Sequence, residues 1–386
     1  MSVTAPQGFR AAGVAAGIKT SGNPDLALVV NDGPQHTAAG VFTRNKVKAA
    51  PVLWSEQVLT GGRLRAVVLN SGGANACTGP EGFQTTHATA EKAAGLLGCG
   101  AVEVAVCSTG LIGAQLPRDT VLAGVGAAHD ALAADAAAGL AAATAIMTTD
   151  TVAKEAAHGD PAGWSVGGLT KGAGMIAPSM ATMLSVLTTD AVVDAPALDA
   201  ALRAAVRVSF DRLDIDGSMS TNDTVLLLAS GASGVVPDPD AFTAAVTEVC
   251  RDLARQMQAD AEGVSKRITV RVTGAATEDD AVTVARTVAR DSLVKTALFG
   301  SDPNWGRVAA AVGYSDAAVD PDRLDVTING VLLCRGAVVA GDRNDVDLKG
   351  EDVFVEIALG LGLGTADILT TDLSYAYVEE NSAYSS

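Results

Sequence analysis

The sequence contains few aromatic and few basic residues; the first shortage bears on the packing of the core, and the second excludes a class of partner. Aromatic side chains make up 4% of the 386 residues, so the core is expected to pack small side chains closely. The 27 lysines and arginines are outnumbered by 44 aspartates and glutamates, which gives a formal net charge of −17. Because nucleic acids and anionic membranes are bound through basic surfaces, we expect no partner of either kind.

The sequence also lacks the patterns of a secretory signal and of a membrane span. Residues 1–18 have no long apolar run, and the most apolar stretch, 131–147, is interrupted by Asp135 and Thr144. The five cysteines show no CxxC spacing, which favours reduced thiols over a disulfide framework or a zinc site. We therefore expect a cytoplasmic protein without a bound metal.

Short β-branched segments alternate with longer alanine-rich segments, a pattern typical of mixed α/β proteins. The predicted strands are 26–30, 66–69, 102–106, 182–188, 224–228, 266–272, 324–328, 353–357 and 368–378. The predicted helices are 81–97, 118–143, 196–208, 242–261 and 277–293. A change in the pattern of predicted strands and helices near residue 267 predicts a main α/β domain over 1–270 and a C-terminal α/β domain over 271–386.

The segment 171–190 joins a glycine- and proline-rich half to an apolar, β-like half at Ala181-Thr182. A threonine hydroxyl at this junction can attack the preceding carbonyl, and hydrolysis of the resulting ester frees the α-amino group of Thr182. That amine, with a reference pKa of about 7.7–8, can accept the proton of its own hydroxyl. None of the four histidines lies beside an obvious serine or cysteine nucleophile, so no motif supports a Ser-His-Asp site. From spacing alone, a glycine loop that enters a buried strand stays the alternative.

Several blocks, in a shared order, resemble the ornithine acetyltransferase family, the glutamate N-acetyltransferases of the cyclic arginine pathway. Residues 171–184, Lys-Gly-Ala-Gly-Met-Ile-Ala-Pro-Ser-Met-Ala-Thr-Met-Leu, resemble the self-cleaving segment of that family. The other matching blocks are 40–45, 70–79, 107–113, 145–151, 216–223, 301–307 and 381–386. The resemblance implies a two-domain α/β sandwich of the DmpA-like type, cut into chains 1–181 and 182–386 that stay associated as an α2β2 heterotetramer.

The resemblance also implies a role for each matching residue. Thr182 is the nucleophile, and Thr109 and Gly110 form the oxyanion hole. The implied substrate-binding positions are Thr149, Lys171, Thr182, Glu262, Asn381 and Ser386. Lys171 and Glu262 would take the two charged ends of an amino acid. Thr149 is chosen from three neighbouring threonines, and the residue matching Ser386 is often threonine in the family.

The implied reaction is a ping-pong acetyl transfer without cofactor or metal. N-acetylornithine acetylates Thr182 and leaves as ornithine, and glutamate then takes the acetyl group. The sequence leaves open whether acetyl-CoA is also a donor. The alternatives are an N-terminal-nucleophile amidohydrolase or aminopeptidase, an acetyltransferase of specialised metabolism, and a noncatalytic amino-acid-binding protein.

Two further motifs suggest other ligands but are weaker. The glycine-rich segment 360–364 resembles a dinucleotide loop, yet the residues after it read as a strand rather than the required helix. The carboxylate-rich segment 214–223 resembles a calcium loop, but in that register Arg212 takes the first ligand position. We expect neither a nucleotide nor a metal at these places.

Overall fold

The computed structural model describes residues 2–177 and 183–383, and it divides into two compact units. As far as they are described, the first unit comprises Met1–Asp211 and Ser218–Met257, and the second comprises Arg212–Gly217 and Gln258–Ser385. The strand Arg267–Ala275, through which the predicted boundary at residue 270 passes, lies in the second unit. The mixed α/β class is confirmed in both units.

The first unit contains two sheets and the helices that pack against them. Its described strands are β1 (Phe9–Val14), β2 (Leu26–Asn31), β3 (Thr37–Phe42), β4 (Ala66–Asn70), β5 (Val104–Ser108), β6 (Lys154–Asp160), β7 (Trp164–Lys171), β8 (Leu184–Thr189) and β9 (Thr224–Ala229). Its described helices are α1 (Ala50–Leu59), α2 (Gly79–Leu97), α3 (Arg118–Asp130), α4 (Ala136–Ala145), α5 (Ala195–Arg207) and α6 (Pro239–Ala259), of which the last two residues of α6 belong to the second unit. The strand orders are β1-β2-β4-β5 and β3-β9-β8-β7-β6.

The strand register in these sheets decides which loops meet. β4 and β5 run parallel with Asn70 opposite Ser108, so the loops that follow the two strands emerge side by side. β8 and β9 also run parallel with Leu184 opposite Thr224, which places the residues that precede both strands together. β7 is antiparallel to β8 and ends with Lys171 opposite Leu184. Three chain segments therefore converge where the predicted cleavage segment joins β8.

The second unit is built on one mixed sheet. Its described strands are β10 (Arg267–Ala275), β11 (Asp325–Ile328), β12 (Val331–Arg335), β13 (Val338–Val339), β14 (Asp352–Ala358) and β15 (Gly364–Thr371), in the order β13-β12-β11-β14-β10-β15. Its described helices are α7 (Glu278–Arg290), α8 (Ser292–Phe299), α9 (Trp305–Gly313) and α10 (Tyr375–Ala383). Alternate residues of β10 are buried, as the period-two pattern predicts for a strand with one covered face.

The predicted helix 118–143 is wrong, because the structure has two helices there. The chain leaves α3 and pairs with β1 through Ala133, whose N–H donates to the Ala11 carbonyl at 3.1 Å. Asp135 then caps α4, since its side chain accepts from the N–H of Ala138 at 2.8 Å. A long-range strand contact therefore interrupts a stretch whose alanine content favours a continuous helix.

The predicted strands 102–106 and 368–378 are wrong at one end. Residues 101–103 form a 3₁₀ turn, so β5 begins at Val104. The second strand ends at Thr371, and the chain then turns into α10. The Ser374 hydroxyl accepts from the N–H of Tyr377 at 3.0 Å, which caps this helix.

None of the helices in the described ranges combines the length and apolar character that a membrane crossing requires.

Candidate active site

The turn that follows β5 carries the two residues predicted for the oxyanion hole. Thr109 is 1% exposed, and its N–H donates to the Asn70 carbonyl at 2.9 Å. In return its carbonyl accepts from the N–H of Gly73 at 3.0 Å. These two backbone hydrogen bonds hold the turn against the loop that follows β4. The backbone of Thr109, which carries the hydroxyl, is therefore fixed.

Gly110 occupies a position where only glycine fits. Its φ is +125°, and a Cβ atom there would lie 2.6 Å from the backbone nitrogen of Gly73. Among the described residues no acceptor takes the Gly110 N–H. A fixed N–H beside the Thr109 hydroxyl matches the pair of donors that an oxyanion requires.

Lys171 ends β7 and lies beside this turn. Its side chain is 1% exposed, and its Nζ donates to Thr109 Oγ1 at 3.4 Å. The Asp150 carboxylate lies close to the same ammonium, with Oδ2 4.0 Å from Nζ. The structure thus brings together Lys171 and Thr109, which are 62 residues apart in the chain.

Asp150 is a buried anion that the sequence interpretation did not single out. Its carboxylate accepts from Lys154 Nζ at 2.7 Å, from the Gly172 N–H at 2.7 Å and from the Thr148 N–H at 3.0 Å. Burial alone would raise its pKa, but the charges of Lys171 and Lys154 outweigh burial and lower the pKa to about 2. The carboxylate therefore stays ionised and fixes the chain where β7 enters the predicted cleavage segment.

Two residues that precede β9 complete the cluster, and neither was predicted. Asn222 Nδ2 donates to the carbonyls of Ala74 at 2.6 Å and Ser108 at 2.8 Å, which ties together the loops after β4 and β5. Asp223 accepts from the Met183 N–H at 3.0 Å. Both residues lie in the matching block 216–223, and that block was the available signal in the sequence.

In the second unit, two predicted substrate-binding residues are partners. Asn381, on α10, donates through Nδ2 to Glu262 Oε2 at 3.0 Å and to the Tyr377 carbonyl at 3.0 Å. Glu262 follows α6 and is half-buried, whereas Asn381 is exposed. A carboxylate held by an amide is well suited to receive a cationic group.

The remaining predicted residues are placed less fully. Thr149 is half-buried in the loop after α4, directly before Asp150. The predicted cleavage pair, Ala181 and Thr182, and the terminal Ser386 lie outside the described residues. Met183, which follows Thr182 directly, is described and buried.

Comparison with known proteins decides the family. The family model that matches this chain is that of the ArgJ family, over residues 10–386. The chain belongs to the ArgJ family. This result confirms the resemblance to ornithine acetyltransferases and, with it, an acyltransferase activity in arginine biosynthesis.

Curated relatives of the ArgJ chain are similar over its full length. An arginine biosynthesis bifunctional protein of Mycolicibacterium paratuberculosis is 64% identical over 389 residues, covering 100% of this chain and 96% of that protein. One from Streptomyces coelicolor is 63% identical over 386 residues, covering 100% of both. A solved ornithine acetyltransferase from Mycobacterium tuberculosis, complexed with ornithine, is 64% identical over 46% of this chain and 94% of that chain, with a TM-score of 0.46.

Proposed function

We propose that this ArgJ chain moves an acetyl group from N-acetylornithine to glutamate through an ester on Thr182. The observation that carries the proposal is the arrangement after β5, where a fixed N–H and a buried hydroxyl lie beside a buried ammonium. These groups are donors or cations, so the arrangement is suited to a developing negative charge. The Met183 N–H, bonded to Asp223, fixes the start of the segment that follows the nucleophile.

The nucleophile would be freed by self-cleavage between Ala181 and Thr182. The Thr182 hydroxyl oxygen attacks the Ala181 carbonyl carbon, and the peptide nitrogen of Thr182 takes up the hydroxyl proton and departs as an amine. Water then hydrolyses the ester, leaving a carboxylate on Ala181 and a free hydroxyl on Thr182. The products are chains 1–181 and 182–386, which we propose remain together as an α2β2 assembly.

Acetyl transfer would use the same hydroxyl with the new α-amine as base. The amine takes the hydroxyl proton while the oxygen attacks the acetyl carbon of N-acetylornithine, and the same proton then goes to the departing ornithine nitrogen. The α-amine of glutamate attacks the acetyl ester in the second half, and the Thr182 oxygen regains a proton. Each tetrahedral intermediate places negative charge on the former carbonyl oxygen, which we assign to the Thr109 hydroxyl and the Gly110 N–H.

The substrate's charged groups need partners of opposite sign. We assign a substrate carboxylate to Lys171, because its ammonium is buried at the site and a buried charge interacts strongly with an incoming anion. We assign a cationic group of the substrate to Glu262, with Asn381 holding the carboxylate. Thr149 and Ser386 are proposed as further contacts. Whether acetyl-CoA serves as a second donor is decided by assay.

The test combines intact mass with a two-donor assay. Wild-type protein on a denaturing gel should give two fragments, and Thr182→Ala should give a single uncleaved chain without activity. Thr182→Ser keeps a hydroxyl and serves as the matched control, which should still be cleaved. A full-length, active wild-type protein would refute the cleavage mechanism.

The assay with N-acetylornithine should yield N-acetylglutamate only when glutamate is present. When glutamate is absent, the mass of chain 182–386 should rise by about 42 Da, the mass that one acetyl group adds. Release of free acetate at the same rate with and without glutamate would instead identify a hydrolase. Repeating the assay with acetyl-CoA as donor separates a bifunctional from a monofunctional enzyme.

A further inference from the structure

Asp223 is a buried carboxyl group for which the acetyl-transfer steps above have no use. It directly precedes β9 and is 0% exposed. Because β8 and β9 are parallel neighbours, Asp223 lies beside Met183, the residue before β8. Its position is therefore at the first described residue after the proposed nucleophile.

The two carboxyl oxygens of Asp223 have different surroundings. Oδ1 accepts from the Met183 N–H at 3.0 Å. Oδ2 is buried and makes no hydrogen bond of normal geometry to the described residues. The neighbouring Thr43 hydroxyl acts on this carboxyl, but it donates its proton to the Ser220 carbonyl at 2.8 Å. Buried polar atoms are nearly always satisfied in folded proteins, so an unsatisfied oxygen beside a reactive segment points to a missing donor.

The electrostatics of Asp223 favour a cationic donor. Burial raises the pKa of this carboxyl well above its ordinary value, although the Met183 N–H, the Lys171 charge and the Thr43 hydroxyl oppose the rise. A positive charge that faced Oδ2 would lower the pKa again and satisfy the oxygen at the same time.

Covalent geometry identifies the group. The backbone nitrogens of consecutive residues are joined by three bonds of about 1.46, 1.52 and 1.33 Å, so two such nitrogens are never more than about 4 Å apart. Asp223 already bonds the nitrogen of Met183, the residue after Thr182. We propose that Asp223 is a positioning residue whose Oδ2 accepts a hydrogen bond from the α-amino group of Thr182.

The role of Asp223 rests on the proposed function, because the α-amino group exists only after cleavage at Thr182. A hydrogen bond from the amine to Oδ2 would hold the amine in place as the base for the Thr182 hydroxyl. When the amine takes the hydroxyl proton, the carboxylate stabilises the ammonium that forms. This is the part that an aspartate plays towards the base of a catalytic triad.

The first test is the pH profile of Asp223→Asn. Asparagine keeps an acceptor for the Met183 N–H but removes the charge, so a merely structural role predicts an unchanged profile. We expect kcat to fall about 10- to 100-fold. We also expect the acidic limb of the kcat profile to move to lower pH, because an amine without a neighbouring carboxylate has a lower pKa.

A matched control for this variant is Asp190→Asn. Asp190 is another buried aspartate of the first unit, 3% exposed, and it accepts from the Ser165 N–H at 2.7 Å at the far end of β8. It should leave the acidic limb in place. A cleaved Asp223→Asn enzyme with the wild-type kcat and limb would overturn the proposal, as would a folded variant that remains uncleaved, since the carboxyl would then act before the amine exists.

The second test does not require the Asp223 variant to fold. Difference infrared spectroscopy at neutral pH compares the cleaved wild type with uncleaved Thr182→Ala, each labelled with ¹³C-aspartate. We expect the carbonyl band of a protonated carboxylic acid in the uncleaved chain, where Asp223 faces no amine, and its loss in the wild type. The same band in both proteins, or in neither, would contradict the inference. Cleavage of Thr182→Ala on the gel would separately show that the proposed function itself had failed.

Discussion

Replacing Asp150 by asparagine tests whether the buried ion cluster holds the site together. The substitution keeps the size of the side chain and one acceptor oxygen, but it removes the negative charge. Lys154 Nζ, 2.7 Å away, and Lys171 Nζ, 4.0 Å away, then lose their common anion. Both side chains are 1% exposed or less, so water does not replace the lost partner without rearrangement.

The expected loss of stability has a part that depends on pH. Removing one partner of a buried ion pair costs about 3–5 kcal/mol. The folded-state pKa of Asp150, about 2, lies below the ordinary value of 3.8, so ionisation stabilises the folded protein above pH 3.8. This linkage is worth about 2 kcal/mol at pH 7, and about 1 kcal/mol of it is lost between pH 7 and pH 3. The difference in unfolding free energy between wild type and Asp150→Asn should therefore be smaller at acidic pH.

Urea unfolding followed by circular dichroism at pH 7 and at pH 3 measures both parts. Asp190→Asn is the control, because its carboxylate accepts only from neutral donors among the described residues, the Gln7 and Ser165 N–H groups and the Ser165 hydroxyl. We expect a clear fall in the urea midpoint for Asp150→Asn at pH 7 and a smaller difference at pH 3. A difference below about 1 kcal/mol at pH 7 would be that of an exposed ion pair and would refute the reasoning.

Three further substitutions test the site. Gly110→Ala should lower kcat at least about 100-fold in the acetyl-transfer assay, because a Cβ 2.6 Å from the Gly73 nitrogen displaces an oxyanion donor; near-normal kcat would contradict the assignment. Lys171→Met should raise the KM for glutamate more than it lowers kcat, whereas a loss confined to kcat would indicate that the ammonium acts on Thr109 instead. Asn222→Ala leaves two buried carbonyls without their donor, so urea unfolding should show a loss of about 1–3 kcal/mol for each.

Local sequence patterns predicted the strands in which buried residues either alternate with exposed ones or follow one another without a break. The apolar runs of β2, β4 and β9 fit the strands within one residue, and the alternation in β10 predicts its start within one residue and its end within three. The prediction of a helix was wrong where a contact with a residue far away in the sequence determines the backbone conformation. Ala133 leaves a helical stretch to pair with Ala11, more than a hundred residues away, and no local propensity carries that information.

Local sequence patterns predicted even less of the candidate site than of the fold. Thr109, Gly110 and Lys171 were predicted from blocks that resemble a family, not from their own spacing. The anion beside them, Asp150, and the pair Asn222 and Asp223 went unassigned. A buried carboxylate cannot be told from a surface one by sequence alone, because its character depends on which strand ends the fold brings together.

The family resemblance and the geometry therefore support different parts of the proposed mechanism. Family membership supplies the reaction, but it does not explain how an acidic chain keeps positive and neutral donors at one point. The strand register explains it. The parallel pairing of β4 and β5 places Thr109 at the site, and the antiparallel pairing of β7 with β8 places Lys171 there. Asp150 offsets the cost of burying Lys171 by staying ionised, with a pKa of about 2. Asp223 has a raised pKa, and among the described residues no cation is bonded to its Oδ2. Because the two buried aspartates of one cluster differ in this way, Asp150 is suited to hold a permanent charge and Asp223 to respond when an amine forms.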